Sequence, residues 1–335
     1  MPLLRSREEK HEPAALRQVL AVSRPQCADA EPLSTLGRTH RARPSRRARR
    51  RSYRRSAIFK RTGEIRAACP DRFIQCGISE QNMVSAAAGM AAVGLKPYVA
   101  TFASFLALLC CEQIRTDVAY SGLPVRLIGH HAGISLGFYG TSHHATEDLA
   151  IMRSIADLTV VVPADAAQLK AVIKASADYP QPIYIRIQRG RDPTVYDESA
   201  PFSFGRAIAH RRGRDLTITA CGSTVHPSLV AAEALVAKGY SVGVIDMATI
   251  KPLDREAVLG AAASTKAILT VEEHNTLGGL GSAVAEVIAE EGVPVRVHRH
   301  GIYDEYSLIA PPTHLYAHYR LDAAGIESVA MTVLA

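Results

Sequence analysis

From Pro70 onward, short β-branched and apolar runs alternate along the chain with longer Ala- and Leu-rich stretches of helical period. The apolar runs predict strands over 98–101, 125–129, 159–162 and 183–187, and the longer stretches predict helices over 80–93, 106–121, 146–155 and 166–177. Strands separated by helices in this way pair in parallel, as βαβ units. The segment PTVYDESAPFSFG then breaks the pattern with Pro, Asp, Ser and Gly, and reads as a linker. Beyond it LTITACGS, SVGVIDM, KAILTVEEH and VPVRVHRHG predict four more strands, with helices such as VHPSLVAAEALVAKG between them. The expected architecture is therefore α/β: two parallel-sheet domains, 67–195 and 207–335, joined by a linker over 196–206.

Residues 1–66 do not share this pattern. No acid occurs between Glu31 and Glu64, and RARPSRRARRRSYRR has neither helical nor strand period. A like-charge block of this kind is expected to be disordered and solvated. It could be an arm for nucleic acid or another anionic surface, an Arg-rich organelle transit peptide, or residues that are not native coding sequence, since the composition changes abruptly at Cys69-Pro70-Asp71.

Charge sharpens the division. The formal net charge is +7, yet residues 1–66 hold 18 Lys and Arg against 6 Asp and Glu, whereas the rest of the chain holds 21 against 26. The patterned part is mildly acidic, so a nucleic-acid role rests on the first segment alone. The six cysteines include no CxxC pair, which suits a reduced, cytoplasmic interior better than a disulfide framework or a metal knot. No apolar run approaches the ~20 residues needed to cross a bilayer, and the N-terminus shows no signal-peptide core.

Within the first domain, the run CGISEQNM places Glu80 between the apolar positions Phe73, Ile74, Cys76 and Ile78 and a helix of small residues. A carboxylate in such surroundings calls for a partner, because burying an unpaired charge is costly. A helix-start acid facing backbone N–H groups is the simpler alternative. Phe102 and Phe105 in TFASF follow a strand and lie three apart, on one face of a turn; alone, such a pair is ordinary core. His130, His131, His143 and His144 follow the 125–129 run in Gly-containing loops. Parallel sheets place binding loops at these carboxyl ends. Zinc is disfavoured, because no carboxylate or Cys at ligand spacing completes a set. NTLGGLGSAVAE looks like a nucleotide loop, but one Gly-rich turn before a helix is weak evidence.

The ordered set PDRFIQCGISEQNMVSAAAGMAAVGLKPYVATFASF, GLPVRLIGHHAG, GTSHHATEDLAIMR, VVPADAAQL, PIYIRIQRG and VEEHNTLGGLGSAVAE resembles the C-terminal half of the transketolase family. It is most similar to the smaller subunit of two-subunit bacterial members, which joins a pyrimidine-binding domain to a C-terminal domain. The resemblance runs from Pro70 to the end of the chain. It implies that Glu80 faces ring N1′ of the aminopyrimidine of thiamine diphosphate and favours the imino tautomer that deprotonates the thiazolium, with an apolar wall raising its pKa. It implies that Phe102, Phe105 and Ile78 hold the same ring, that His131 and His143 act on the reacting carbon and substrate, and that Arg189 binds a substrate phosphate; a surface ion pair is the alternative for Arg189. It makes the Gly-rich turn structural and assigns Glu272, Glu273 and His274 to a subunit interface.

The family pattern fails in three places. Where sugar-handling members carry an acid that reads an acceptor hydroxyl, this chain has Tyr139. The Gly-Asp-Gly run and later Asn that bind the diphosphate and Mg²⁺ do not occur, so those ligands are expected from a partner chain in a heterotetramer. The helix and strand that open the pyrimidine-binding domain are not recognisable in residues 1–66. The implied activity is transfer of a two-carbon ketol unit from a ketose phosphate to an aldehyde. The alternatives are the β subunit of a thiamine-dependent 2-oxo acid dehydrogenase or an inactive regulatory partner; GTSHHATEDLAIMR favours ketol transfer.

Overall fold

The structure is a computed structural model that describes residues 18–23, 65–190, 193–197, 199 and 202–335. The Arg-rich stretch of 41–55, and with it the expectation of disorder there, lies outside the described residues.

The chain forms two mixed sheets with helices on their faces. The strands of the first are β1 (Gln18–Ser23), β2 (Phe73–Gly77), β3 (Lys96–Phe102), β4 (Arg126–His130), β5 (Thr159–Val161), β6 (Ile183–Arg186) and β10 (Thr249–Lys251), in the order β10-β5-β6-β4-β3-β1-β2. The pairs β3–β4, β4–β6 and β5–β6 are parallel. The second sheet is β12-β11-β8-β9-β7, from β7 (Ile208–Arg211), β8 (Leu216–Ala220), β9 (Val242–Asp246), β11 (Ala267–Asn275) and β12 (Arg296–Ile302). Its β7 edge is antiparallel and the rest parallel. β4, β5, β6, β8 and β9 are buried along almost their whole length. That follows from helices covering both faces, and it explains why these strands read as continuous β-branched runs.

Three strands were not expected. β1 lies inside the segment set apart as patternless and pairs antiparallel with both β2 and β3. Its sequence, QVLAVS, is too short to stand out from charged flanks. β7 adds the antiparallel edge of the second sheet. β10 belongs in sequence to the second domain but joins the first sheet, with Thr249 opposite Val161 and Lys251 opposite Val160. Lys251 Nζ then donates to the carbonyls of Arg153 and Ile155. The two domains also share one apolar core, in which Val160 and Val162 pack with Cys221, Ile245, Met247 and Ile250.

The helix expected over 106–121 starts earlier, as Ala103–Leu109, pauses at Cys110 and resumes as a short turn, Cys111–Gln113, and a π-helical turn, Ile114–Ala119. Among the described residues no helix is long and apolar enough to cross a membrane.

Candidate active site

The helix Glu80–Ala92 buries Glu80, Met83, Val84, Ala87, Ala88 and Ala91. These positions recur at three and four, so Glu80 starts the buried stripe rather than standing beside it. The residue is 6 % exposed, and among the described residues no hydrogen-bond donor or cation meets its carboxylate. Its position in the first turn gives it the favourable end of the helix dipole. Glu80 lies close enough to Cys110 to add to the effect of burial, which pushes that thiol up to about 12.

β1 apart, the strands beside this helix all run the same way, and their carboxyl ends deliver the other candidates to one rim. Phe102 ends β3 and is buried; one turn on, Phe105 packs edge-on against it with ring centroids 5.5 Å apart. His130 ends β4, and His130 and His131 meet Phe102 at 4.9 and 4.8 Å. His143, from the loop after β4, meets Phe102 at 5.5 Å and Phe105 at 5.2 Å. Phe102 is thus the hub of a ring cluster holding both histidines singled out in the sequence. Ile78 does not join it: it is 73 % exposed in the loop before Glu80.

Electrostatics separate the histidines. His130 and His131 place their Nδ1 atoms 2.8 Å apart, so one donates and the other accepts, and at least one ring is neutral. Burial pulls His130 down to about 4. Burial, reinforced by His130, Arg189 and His143, pulls His131 down to about 2. His143 is only half-buried, is lowered by burial, and hydrogen-bonds Ser142 Oγ through Nδ1 at 2.9 Å. His144 points away: its Nε2 donates to the Gly137 carbonyl at 3.1 Å, and its Nδ1 accepts from Ser307 of the second domain.

At the outer rim, Tyr139 lies tilted against His143 at 4.8 Å, and the Arg189 guanidinium sits 5.3 Å over the ring of Phe138. Both aromatics are about half exposed. Among the described residues Arg189 makes no ion pair, and its backbone N–H donates to Ser135 Oγ at 3.2 Å.

Sequence reasoning missed a buried charged network behind these loops. Arg186 and Asp148 are each 1 % exposed, with Nε 2.8 Å from Oδ2, and the Tyr184 hydroxyl donates to the same oxygen at 2.7 Å. Arg186 Nη2 also donates to the carbonyls of Ala145 and Glu273. The available signal was a charge inside the apolar run IYIRIQ, the same kind of signal that marked Glu80. The assignment of Glu272, Glu273 and His274 to a subunit interface is corrected: all three are buried within this chain, against residues of the first domain and the helix Leu280–Glu290. β11 places them where the two domains meet, which no local pattern reveals. NTLGGLGSAVAE is a turn and helix start whose Leu280 and Gly281 N–H groups are taken by Glu272.

Residues 27–193 match the model for the transketolase pyrimidine-binding domain, and residues 189–326 match that for the transketolase C-terminal domain. The chain belongs to the transketolase family. It is 39% identical over 270 residues to an apulose-4-phosphate transketolase subunit of Phocaeicola vulgatus, covering 80% of this chain and 86% of that protein. It is 38% identical to the 6-deoxy-6-sulfo-D-fructose transketolase subunit SqwH of a Clostridium species, covering 79% of this chain and 82% of that one. A solved structure described as a split gene transketolase, inactive β4 tetramer, superimposes with a TM-score of 0.74 at 40% identity, over 82% of this chain and 88% of that chain. Family membership brings the expectation of thiamine diphosphate. A buried carboxylate that meets no donor among the described residues, in the same domain as a ring cluster at the strand ends, suits an aminopyrimidine.

Proposed function

We propose that this chain is one subunit of a thiamine-diphosphate-dependent transketolase, transferring a two-carbon ketol unit from a ketose phosphate to an aldehyde acceptor. A separate chain would supply the diphosphate contacts and the Mg²⁺ ligands, in a cytoplasmic heterotetramer. The observation that carries this reading is Glu80, a buried carboxylate with no donor or cation on it among the described residues. A carboxyl group so placed serves a ligand better than it serves the fold, since leaving it unpaired costs stability.

Bound thiamine diphosphate supplies a nucleophilic carbon and an electron sink for the two-carbon unit. Glu80 would hold the aminopyrimidine through its carboxyl, sharing a proton with the ring nitrogen. Phe102 and Phe105 would pack that ring, and Ile78, standing free in the same loop as Glu80, would close over it. His131 is neutral at working pH and offers a hydrogen bond to a carbonyl without charge of its own. His143, nearer solvent, is the better candidate to move a proton at the substrate oxygen. Arg189 would take an anionic group at the rim.

Co-purification with the diphosphate-binding chain, followed by steady-state ketol-transfer assays of wild type and Glu80→Gln, tests this directly. Loss of one proton relay should lower kcat about 10²–10⁴-fold while circular dichroism is unchanged. A fully active Glu80→Gln complex would refute the assignment. A folded wild-type complex that transfers no ketol unit would support the alternative of an inactive partner.

A further inference from the structure

His131 has a left-handed backbone, φ +57°, a conformation that residues with a Cβ rarely adopt. Such strain persists only where the surroundings over-determine it, and here successive contacts do so. Ala132 N–H donates to the Ile187 carbonyl at 3.1 Å. Gly133 and Ala145 exchange both backbone hydrogen bonds, at 3.1 and 2.9 Å, which ties the His131 loop to the His143 loop. Ile134 N–H donates to Glu273 Oε1 at 2.7 Å.

Glu273 comes from β11, in the other domain, and is 1 % exposed. Its Oε2 accepts from Ser223 Oγ at 2.6 Å and from Gln188 Nε2 at 3.4 Å, and Tyr316 also hydrogen-bonds the side chain. Its backbone carbonyl accepts from Arg186 Nη2 at 2.9 Å, and the same Nη2 donates to the Ala145 carbonyl at 3.0 Å. The side chain therefore fixes the loop of His131, and the main chain, through Arg186, fixes the loop of His143. Gly133 leaves no slack: at φ +58°, a Cβ there would lie 2.2 Å from Glu273 Oε1.

We infer that Glu273 is a positioning residue, through which the C-terminal domain sets the geometry of His131 and His143. The function it serves rests on the ketol-transfer reading above; the clamp itself rests on the contacts of this chain. What the clamp requires at Oε1 is an acceptor for the Ile134 N–H, not a negative charge. A glutamine retains that acceptor, and its amide can donate to Ser223 Oγ; a leucine of similar size cannot accept at all.

The experiment compares Glu273→Gln, Glu273→Leu and Ser223→Ala by two readouts. The first is the Hε1–Cε1 spectrum of the chain alone with ¹³C-labelled histidine, in which the His131 signal among 13 histidines is identified by its loss in His131→Gln. The second is kcat and KM of the complex with its partner chain. Glu273→Leu should shift the His131 and His143 signals and lower kcat about 10–100-fold, the range for residues that orient catalytic groups from behind, with KM changed much less. Glu273→Gln should restore both. Ser223→Ala, which removes one support of the clamp without opening the core, should move the His131 signal in the same direction by less and supplies the test if the leucine variant does not fold. Unmoved histidine signals in Ser223→Ala and Glu273→Leu, or equal losses in the glutamine and leucine variants, would overturn the inference. The spectral arm needs neither partner nor cofactor, so a failure of the ketol-transfer reading would leave it intact.

Discussion

Asp148→Ala isolates the energetics of the network that joins the domains. In the native chain, Asp148 Oδ2 accepts from Arg186 Nε at 2.8 Å and from the Tyr184 hydroxyl at 2.7 Å, with Arg186 and Asp148 each 1 % exposed. Removing the carboxylate leaves a buried guanidinium whose remaining hydrogen bonds, among the described residues, go to the carbonyls of Ala145 and Glu273, with the Glu272 and Glu273 carboxylates acting on it from farther off. Breaking one side of such a pair costs about 3–5 kcal/mol, and the stranded tyrosine hydroxyl adds about 1–3 kcal/mol. The two losses share one site and do not sum fully, so a net cost of about 5 kcal/mol is expected. Folded proteins of ordinary stability hold about 5–15 kcal/mol, so the variant sits near the edge of folding. At an m-value of about 3 kcal/mol/M, the urea midpoint of the isolated chain, followed by circular dichroism, should fall by roughly 1.5–2 M. The decisive comparison is the double variant Asp148→Ala with Arg186→Met, which removes both charges and fills the space with an apolar side chain. It should recover most of the loss, because a buried ion pair replaced whole is often neutral. A single variant within about 1 kcal/mol of wild type, or a double variant no better than the single, would refute the argument that a stranded charge dominates.

Other outcomes follow from the site. Phe102→Ala removes the hub of the ring cluster, and should raise the thiamine diphosphate concentration at half-maximal activity about 2- to 10-fold, the range of an aromatic contact of about 0.5–1.5 kcal/mol, with kcat less affected; an unchanged half-saturation would remove Phe102 from the cofactor site. Tyr139→Asp should improve kcat/KM for a 2-hydroxyaldehyde relative to the aldehyde of the same length that lacks the hydroxyl, measured as a ratio within one complex; no change in that ratio would mean that Tyr139 does not face the acceptor. For pH dependence, His130 and His131 titrate in the folded chain below the ordinary imidazole value, so the unfolded chain binds more protons between about 4 and 6.5. Their contribution to stability is therefore complete above about pH 6.5 and is lost as pH falls through that window. Asp246, which burial raises to about 6, opposes this in part. Melting of the chain alone should drop between pH 7 and pH 4.5, and Asp246→Asn should steepen the drop; a flat profile in both would contradict the assignment.

What could be read in the sequence was whatever a short window carries. β3, β4, β5 and β6 were legible because strands buried on both faces are continuous β-branched runs. Glu80 was legible because an acid on an apolar stripe breaks a local rule, and such breaks concentrate at sites. β1, β7 and β10 were not, since each is defined by a pairing partner distant in sequence. Glu273 was seen but placed on the outside of the chain, because its burial is supplied by the other domain. Cys110 ended a helix that periodicity carried to Ser121: the π-helical turn at Ile114–Ala119 keeps Ile114 and Val118 buried while the hydrogen bonding changes, and periodicity does not see hydrogen bonds.

The most direct test of the account is calorimetric titration of thiamine diphosphate with Mg²⁺ into the chain alone, into the chain with its diphosphate-binding partner, and into that complex carrying Glu80→Gln. A half-site completed by a second chain predicts no measurable binding alone, saturable binding in the complex, and weakened binding with Glu80→Gln. Tight binding by the isolated chain, or binding by the complex that is indifferent to Glu80, would contradict it.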